Sequence, residues 1–408
     1  MEFVRSADRG FFPLDEELGL LPGKLTPKGH ENLVRLGSWI PFEQSVKVYE
    51  ELVGIKVSRI VSQSYTEAAG AAYEEIQTEE VARLEKEMPE AKAQAGKMQV
   101  SADGAMVPLV HGVWAEVKTL VIGEVQKVVQ KNQVPVIRTQ NLSYFSRKTD
   151  AETFGRLSLV EMHRRGVEKA QEVAAIMDGA EWEQGFIDYH CSQATRILDF
   201  PHAAEHICKI GNAAFGENTA EGQSWLRDRL HELKHTGPDE LFVNLQAIQT
   251  TYPDSQEITG NLAYLTKRRE QMLYPHFQEN GWPIGSGVVE SANKIVVEAR
   301  LKGSGMHWAE NHVNPMLCLR NIICSDRWAE EWPKIETKLR SQAQKRREEL
   351  HKKRRSAQKE DIIPILPSEK IVAPQQPAPI LSTKPKNNPW RNFKHGKALF
   401  QRTTSPKV

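Results

Sequence analysis

Along MQVSADGAMVP, residues 98–108, apolar and polar side chains alternate as far as Asp103 and Gly104. An alternation with a period of two predicts a β-strand that buries one of its faces. A second strand is predicted at residues 116–125, and a third is predicted within residues 134–146. Three strands in direct succession favour an antiparallel meander.

Downstream of the meander the pattern changes to helices that alternate with short apolar strands. Residues 151–172 are predicted to be helical, and the apolar run at 173–177 is predicted to be a strand that stops at Asp178. A helix at 183–191 and a strand at 194–198 follow. The predicted order is β-β-β-α-β-α-β. This α/β order matches a ribonuclease-H-like mixed sheet, because strands joined through helical crossovers pair in parallel.

Helical segments without a strand pattern interrupt and flank the predicted sheet. Before the sheet, Thr26 and Pro27 form a good helix cap, and the helices that follow suit either a DNA-binding module or a plain structural bundle. We divide the chain into a residual N-terminal segment (1–25), a small helical domain (26–95), a first part of the core (96–202), an all-helical insertion (203–283), a second part of the core (284–337) and a basic, Pro-rich flexible tail (338–408).

Charge is distributed unevenly along the chain. The whole sequence carries 54 Lys and Arg against 53 Asp and Glu, whereas residues 338–408 carry 18 basic and 5 acidic side chains. A tail of this charge favours DNA binding, because contacts with phosphates release counterions. No window approaches about 18 uninterrupted apolar residues, and the first residues lack a signal-peptide pattern. We therefore expect a cytoplasmic protein with no membrane partner.

Three carboxylates stand where a metal site is expected. Asp103 and Asp178 lie beside glycines at strand positions, and Glu290 begins a helix after the glycine-rich turn at 285–287. A buried carboxylate is costly unless it is paired or binds a cation. Converging carboxylates suit Mg²⁺ or Mn²⁺. Two such ions about 4 Å apart stabilise both the attacking and the leaving oxygen of a phosphoryl transfer, so the pattern predicts a nuclease or transposase.

An ordered set of motifs carries a family resemblance over roughly residues 10–330. The motifs are SADGAMVP (101–108), DGAEW (178–182), DFPH with AAEH (199–206), and GSGVVESA (285–292) followed by RLKGSGMHW (300–308). As an ordered set they are more specific than any one of them alone. The chain resembles DDE-type transposases of bacterial insertion sequences, particularly the ISKra-type group, and is more distantly similar to Mutator-like enzymes.

The resemblance implies that Asp103, Asp178 and Glu290 form a catalytic triad that binds Mg²⁺ or Mn²⁺. Asp199 and His202 match the D-x-x-H signature of the family. Asp199 also competes with Asp178 for the position of the second acid in the triad, although we prefer Asp178. A helix cap is an equally good interpretation of Asp199. The implied reaction is cleavage at the ends of the element, followed by attack of the freed 3′-hydroxyl on target DNA. The implied partners are terminal inverted repeats, target DNA and further copies of the chain assembled on DNA, at the nucleoid of a bacterium.

Candidate DNA contacts lie close to the triad in the sequence. Lys294 lies four residues after Glu290 on the same helical face, where it either meets a phosphate or pairs with the glutamate. Arg300, Lys302 and Trp308 surround a glycine-rich turn, a composition suited to gripping a DNA backbone and stacking a displaced base. A single tryptophan is also a common core residue.

Two other functions stay open on the sequence. His202, Glu205 and His206 fit H-x-x-E-H, the helix motif of a zinc metalloprotease, which needs a further carboxylate ligand downstream. Related transposases begin with a cysteine-rich segment that has no counterpart ahead of residue 10. An inactive or truncated DNA-binding descendant of a transposase is therefore the other alternative.

Overall fold

The computed structural model describes residues 20–91, 96–129 and 135–360. Its strands are β1 (Lys97–Pro108), β2 (Trp114–Val129), β3 (Pro135–Arg147), β4 (Glu172–Met177) and β5 (Thr195–Leu198). They form one mixed five-stranded sheet in the order β3-β2-β1-β4-β5. β2 pairs antiparallel with both β1 and β3, while β4 pairs in parallel with β1 and β5. The α/β class and the predicted meander followed by crossover strands are therefore confirmed.

Helices precede, connect and follow the strands. The helices before β5 are α1 (Pro27–Trp39), α2 (Phe42–Val53), α3 (Arg59–Glu87), α4 (Ala151–Arg164) and α5 (Glu181–Cys191). The helices after β5 are α6 (Phe200–Phe215), α7 (Ala220–His235), α8 (Pro238–Thr251), α9 (Gln256–Lys267), α10 (Tyr274–Glu279), α11 (Gly287–Ala292), a π-helical turn (Asn293–Glu298), α12 (Ala299–Leu301), α13 (Glu310–Cys324) and α14 (Trp328–Glu360). The continuous segment from α11 to α12 is called the 287–301 helix below.

Local signals account for where several helices begin and end. The Thr26 hydroxyl accepts a hydrogen bond from the Gly29 amide at 3.2 Å, which is the predicted cap of α1. The first crossover helix is shorter than the predicted 151–172. It ends at Arg164 because Gly166 adopts a left-handed backbone conformation, with φ of 63°. The predicted helix at 256–279 is likewise divided, into α9 and α10, and Pro275 lies in the first turn of α10.

Both faces of the sheet are buried, because successive residues of a strand point to opposite sides. On one face, Ile176 of β4 belongs to an apolar cluster with Leu262 and other residues of the insertion. On the other face, Met177 belongs to a cluster with Phe154 of α4 and Phe186 of α5. The insertion therefore contributes to the core of the sheet itself.

Helix α14 crosses the predicted start of the tail at residue 338. Leu339 is buried in a cluster with Trp332, and Lys338 Nζ lies 2.6 Å from a carboxylate oxygen of Glu79. The chain divides into a compact unit through Leu350 and a second unit from His351, of which the end of α14 is described. A tail that starts at 338 is therefore too long, because residues 338–350 belong to the compact unit.

The Pro-rich part of the predicted tail, from residue 361 onward, lies outside the described residues, as does most of the predicted segment 1–25. Within the part of the chain that is described, we find no helix with the length and apolar content needed to span a membrane.

Candidate active site

The parallel pairing of β1 with β4 brings two of the predicted acids together. In this pairing Val100 lies opposite Ala175. The same register, continued three residues along both strands, places Asp103 level with Asp178, and neighbouring strands lie about 4.8 Å apart. Burial raises the pKa of Asp103 to about 6, and the negative charge of Asp178 adds to this rise. The two aspartates are therefore close enough to influence each other's charge.

Asp103 is fastened to the 287–301 helix by an amide side chain. Asn293 donates a hydrogen bond through Nδ2 to Asp103 Oδ2 at 2.8 Å, and the Gly104 amide donates to Oδ1 at 2.6 Å. Asn293 is buried in the π-helical turn, one helical turn after Glu290. The helix that carries the third predicted acid is thus bonded directly to the first acid.

The carboxylate of Glu290 itself faces solvent. Its side chain is 69% exposed, and Oε1 lies 3.4 Å from Lys294 Nζ on the next helical turn. The described residues contain no group of three His, Cys, Asp or Glu side chains already arranged around a metal position. The structure therefore gathers Asp103 and Asp178 and brings the helix of Glu290 to them, while the Glu290 carboxylate points elsewhere.

A fourth acid, Glu183, lies in this site and was not predicted. It is 1% exposed in the first turn of α5. Its Oε2 accepts hydrogen bonds from the amides of Gly179 and Ala180 at 2.9 and 3.2 Å. Burial raises the pKa of Glu183 to about 10, and a side-chain hydrogen bond to Asp178 and the negative charge of Asp178 contribute to the rise. The available sequence signal was a glutamate at the third position of a helix, which commonly bonds back to the amide at the start of that helix.

The turn that follows Asp178 is held by residues at the end of the insertion helix α9. The Tyr264 hydroxyl donates to the main-chain oxygen of Asp178, and Arg268 Nε donates to the main-chain oxygen of Gly179 at 2.9 Å. The Arg268 guanidinium also lies over the Tyr264 ring, 3.8 Å from its centre. Gly179 has φ of 86°, a conformation that favours glycine. The insertion thereby fixes the backbone that carries Asp178.

Asp199 is the helix cap that the sequence allowed as one interpretation. Its Oδ2 accepts from the His202 amide at 3.1 Å at the start of α6, and its Oδ1 accepts from the Ser286 amide at 2.6 Å. The second bond joins the end of β5 to the glycine-rich turn in front of Glu290. Asp199 therefore positions the chain on both sides of the insertion.

The histidines of the H-x-x-E-H pattern pack against the insertion. The His206 ring stacks on Tyr264 with ring centres 3.9 Å apart, and its Nδ1 lies 2.7 Å from Asn261 Oδ1. His202 meets His206 edge to face, with ring centres 5.1 Å apart, and its Nδ1 lies 4.0 Å from Glu205. His206 is thus engaged by an aromatic ring and an amide, and this local packing accounts for the pattern without zinc.

Two of the predicted DNA contacts are buried. Arg300 is 1% exposed and donates through Nε to the main-chain oxygen of Gly37 at 3.0 Å. Its guanidinium lies over the rings of Phe42 and Trp308, at 4.6 and 5.1 Å from their centres. Trp308 is itself buried and donates to the main-chain oxygen of Leu301 at 3.1 Å. The structure therefore gives both side chains a packing role and does not present them to a DNA backbone.

The two lysines that were predicted to contact DNA form ion pairs with glutamates of the 287–301 helix. Lys294 pairs with Glu290, which is the second of the two roles that its spacing predicted, and Lys302 Nζ lies 2.7 Å from Glu298. Both are pairs four residues apart near the surface. Such pairs contribute only a few tenths of a kcal/mol, so a phosphate is able to displace them.

No protein-family model matches the chain, and no curated protein matches it. The chemistry of the site is therefore inferred from the chain's own residues. Asp103 and Asp178 supply only oxygen donors, and the buried Glu183 carboxyl beside them hydrogen-bonds to Asp178. Two carboxylates of this kind suit Mg²⁺ or Mn²⁺ and give no preference to a soft metal.

Proposed function

We propose that this protein is a DDE-type transposase that cleaves DNA at the ends of an insertion sequence and joins those ends to target DNA. In the joining step the freed 3′-hydroxyl would attack a target phosphodiester and displace the 3′-oxygen of the target strand. The observation that carries the proposal is the parallel pairing of β1 with β4, beyond which Asp103 and Asp178 lie close enough for their charges to interact. The bond from Asn293 to Asp103 supports it further, because it brings in the helix of Glu290. Two aspartates on neighbouring strands and a glutamate on a late helix are the arrangement that the resemblance implies.

The mixed sheet supports the finer assignment of a ribonuclease-H-like fold. An antiparallel meander supplies the strand that carries Asp103, and helical crossovers supply the two parallel strands beside it. The helices α6 to α10 separate this part of the chain from the 287–301 helix. An all-helical insertion between the second and third acid is what the proposed architecture requires.

Each acid has a part in the proposed reaction. Asp103, Asp178 and Glu290 would hold two Mg²⁺ or Mn²⁺ ions, which when bound activate the attacking oxygen and stabilise the leaving oxygen of a phosphodiester. Asn293 orients the Asp103 carboxylate through its amide. Tyr264 and Arg268 fix the turn that carries Asp178.

The exposed position of Glu290 suits contact with an incoming polyanion and its cations. Its partner Lys294 is also exposed, at 63% of its side chain. A scissile phosphate that approaches the aspartates from solvent would meet both groups, and the phosphate would exchange partners with the ion pair. Glu290 would thereby join the metal site only when DNA is bound.

The proposed partners are terminal inverted repeats, target DNA and further copies of the chain on that DNA. Residues 351–408 carry 13 Lys and Arg against 3 Asp and Glu. This excess supports general attraction to phosphates, with affinity that falls as salt is added. A cytoplasmic enzyme acting at the nucleoid of a bacterium is part of the same proposal.

The test is cleavage of DNA that contains the sequences flanking the gene. The purified chain should nick these ends and join them to a second duplex in Mg²⁺ or Mn²⁺. Asp103→Asn and Asp178→Asn should each reduce the rate by roughly three orders of magnitude, because each removes a ligand that acts in the transition state. Asp239→Asn changes an exposed acid of α8 and serves as the matched control.

Binding without cleavage would overturn the proposal. If the wild-type chain binds the flanking DNA but neither metal supports nicking or joining, the non-catalytic DNA-binding descendant is the better description. Cleavage that survives Asp103→Asn would equally contradict the assigned site.

A further inference from the structure

A cavity of about 470 Å³ lies between the N-terminal helices α2 and α3 and the RLKGSGMHW motif (300–308). Main-chain hydrogen bonds fix this motif to the end of β1. The Trp308 amide donates to the main-chain oxygen of Pro108 at 3.1 Å, and the Val110 amide donates to that of Trp308 at 3.0 Å. The motif therefore forms a fixed wall of the cavity.

Arg300 is a buried cation that lines this cavity, and one of its nitrogens has no partner. Only 1% of the residue is exposed. Its Nε donates to the main-chain oxygen of Gly37, whereas Nη2 has no hydrogen-bond partner among the described residues. The rings of Phe42 and Trp308 stabilise the positive charge but leave the N–H groups of Nη2 unused. Because buried donors are almost always paired, Nη2 indicates a place for an acceptor.

Two further donors that line the cavity are exposed. Arg59, in the first turn of α3, and His307 have neither a hydrogen bond nor an ion pair within the part of the chain that the structure describes. An arginine in this position matches a phosphate well, because its planar guanidinium donates two parallel hydrogen bonds. The solvent side of the cavity therefore offers free donors.

The two acids that line the cavity already have partners. Glu67 Oε1 accepts a hydrogen bond from Gln63 Nε2 at 2.9 Å and lies 2.8 Å from His312 Nδ1. Glu43 Oε1 lies 3.3 Å from Lys47 Nζ. With its acids paired and several donors free, the cavity favours an anionic ligand.

The rest of the lining is largely apolar. Pro41, Phe42, Val110, Met306 and Trp308 all contribute to it. Small-molecule sites typically combine a mostly apolar cavity of about 300–1,000 Å³ with a few polar groups that fix the orientation of the ligand. The cavity therefore fits a ligand that carries both a flat apolar group and an anion.

We propose that this cavity binds one unpaired nucleotide, with its phosphate at Arg59 and His307 and its base against the apolar wall, where an acceptor atom of the base meets Arg300 Nη2. A free mononucleotide and an unpaired nucleotide of a DNA strand share this chemistry. The inference rests on the proposed function only for DNA as the source of the nucleotide.

Calorimetric titration of the full chain tests both halves of the ligand. Thymidine 5′-monophosphate should bind at least about tenfold more tightly than thymidine, which lacks the phosphate, and than deoxyribose 5-phosphate, which lacks the base. Arg59→Gln combined with His307→Gln should weaken the monophosphate by about tenfold, because two exposed donors to the phosphate are lost. Arg227→Gln, at an exposed arginine of α7, should stay within about twofold of wild type.

Photo-crosslinking identifies where the nucleotide binds. The 5-iodouracil analogue of the monophosphate, irradiated with the full chain, should attach to peptides from residues 41–67 or 300–312, and excess thymidine 5′-monophosphate should suppress the attachment. Attachment only at other peptides overturns the proposal.

A duplex with a single-stranded thymidine overhang, compared with a blunt duplex of equal length, distinguishes the two sources. Tighter binding of the overhang, by about fivefold and lost in the double variant, identifies a DNA strand as the source. Equal binding of both duplexes, with binding of the monophosphate that the double variant weakens, identifies a free nucleotide. If the double variant changes neither the overhang nor the monophosphate, the proposal is wrong.

The two proposals fail in different ways. A chain that cleaves DNA through Asp103 but binds no nucleotide in this cavity refutes the nucleotide site alone. A chain that binds a nucleotide through Arg59 and His307 but does not cut or join DNA refutes the transposase proposal alone.

Discussion

The 287–301 helix contacts two clusters of like charge. The arginine cluster consists of Arg300 and Arg320, each 1% exposed. The acid cluster consists of Asp103, Asp178 and Glu183, the first of which is bonded to Asn293 of this helix. Burial works against the charge in both clusters: it lowers the pKa of Arg300 to about 10 and raises the pKa of Glu183 to about 10.

The arginine cluster is compensated by the protein around it. Arg320 donates through Nε to the main-chain oxygen of Val296 and through Nη1 to that of Ser38, both at 3.2 Å, and also donates to Ile295. Arg300 has one nitrogen without a hydrogen-bond partner, but aromatic rings lie against its guanidinium. Carbonyl oxygens and ring faces are fixed groups that stabilise a cation wherever DNA or metal is absent.

The acid cluster receives hydrogen bonds from Asn293 and from main-chain amides, but its acids also repel one another. Asp178 and Glu183 share the Ala180 amide as a donor, and the Glu183 carboxyl also hydrogen-bonds to Asp178, whose negative charge lies beside it. Repulsion between neighbouring carboxylates is relieved by binding a proton or a cation. The two clusters therefore differ: fixed carbonyl oxygens and aromatic rings stabilise the buried arginines, whereas the charge of the acids depends on pH.

Breaking the arginine cluster should have the largest effect on stability. Arg320→Ala removes three hydrogen bonds to main-chain oxygens and opens a cavity between α1, α13 and the 287–301 helix. We expect the free energy of unfolding to fall by about 3–5 kcal/mol, because unsatisfied buried groups and lost packing add together. Urea unfolding measures the change, and Arg227→Ala, at an exposed position of α7, is the control.

A loss below about 1 kcal/mol for Arg320→Ala would contradict the structural role of the cluster. The measurement should be made both without metal and with Mg²⁺. If Mg²⁺ restores the stability of this variant more than that of wild type, the two clusters are not separate in function.

Distorting the turn beside Asp178 should have an intermediate effect. Gly179→Ala places a Cβ 2.5 Å from Arg268 Nε and 2.7 Å from the Tyr264 hydroxyl, at a φ of 86° that alanine tolerates poorly. We expect a loss of about 2 kcal/mol in the free energy of unfolding. Weaker Mn²⁺ binding should accompany it, since the turn carries Asp178.

Gly185→Ala is the matched control on the same helix as Glu183. A Cβ at Gly185 meets nothing within 4 Å, and alanine favours a helix over glycine by up to about 1 kcal/mol. Stability should therefore be equal or slightly higher. If both glycine variants lose stability to a similar degree, the contact with Tyr264 and Arg268 is not what fixes the turn.

Local patterns predicted the strands and the aspartates, whereas long-range packing decided the rest of the site. Asp103 and Asp178 end or interrupt short apolar runs next to glycine, and those signals lie within a few residues of each acid. Glu183 is buried because α5 packs beneath the turn after β4, which no neighbouring residue reveals. Arg300 was expected at the surface beside a glycine-rich turn, but Phe42, far away in the sequence, covers it. Burial of a charged side chain is therefore the property that sequence patterns predicted least well.

Neutralising Asp103 should have the smallest effect on the free energy of unfolding, and the size of that effect depends on pH. The pKa of Asp103 is raised from 3.8 to about 6 in the folded chain. The stability linked to this group is therefore complete below pH 3.8 and is lost as the pH rises through 6. Asp103→Asn cannot ionise, so at pH 8 without divalent metal it should be more stable than wild type by about 1 kcal/mol, a value reduced for the partial exposure of the site.

The pH dependence distinguishes charge repulsion from packing in this variant. The advantage of Asp103→Asn in urea unfolding should shrink as the pH is lowered toward 4, and Asp228→Asn, at an exposed position, should show none at either pH. Saturating Mg²⁺ should remove or reverse the advantage, because the cation stabilises the wild-type carboxylate and the amide is a poorer ligand. An advantage of equal size at pH 4 and pH 8 would mean that the acid cluster, like the arginines, is already compensated by the protein around it.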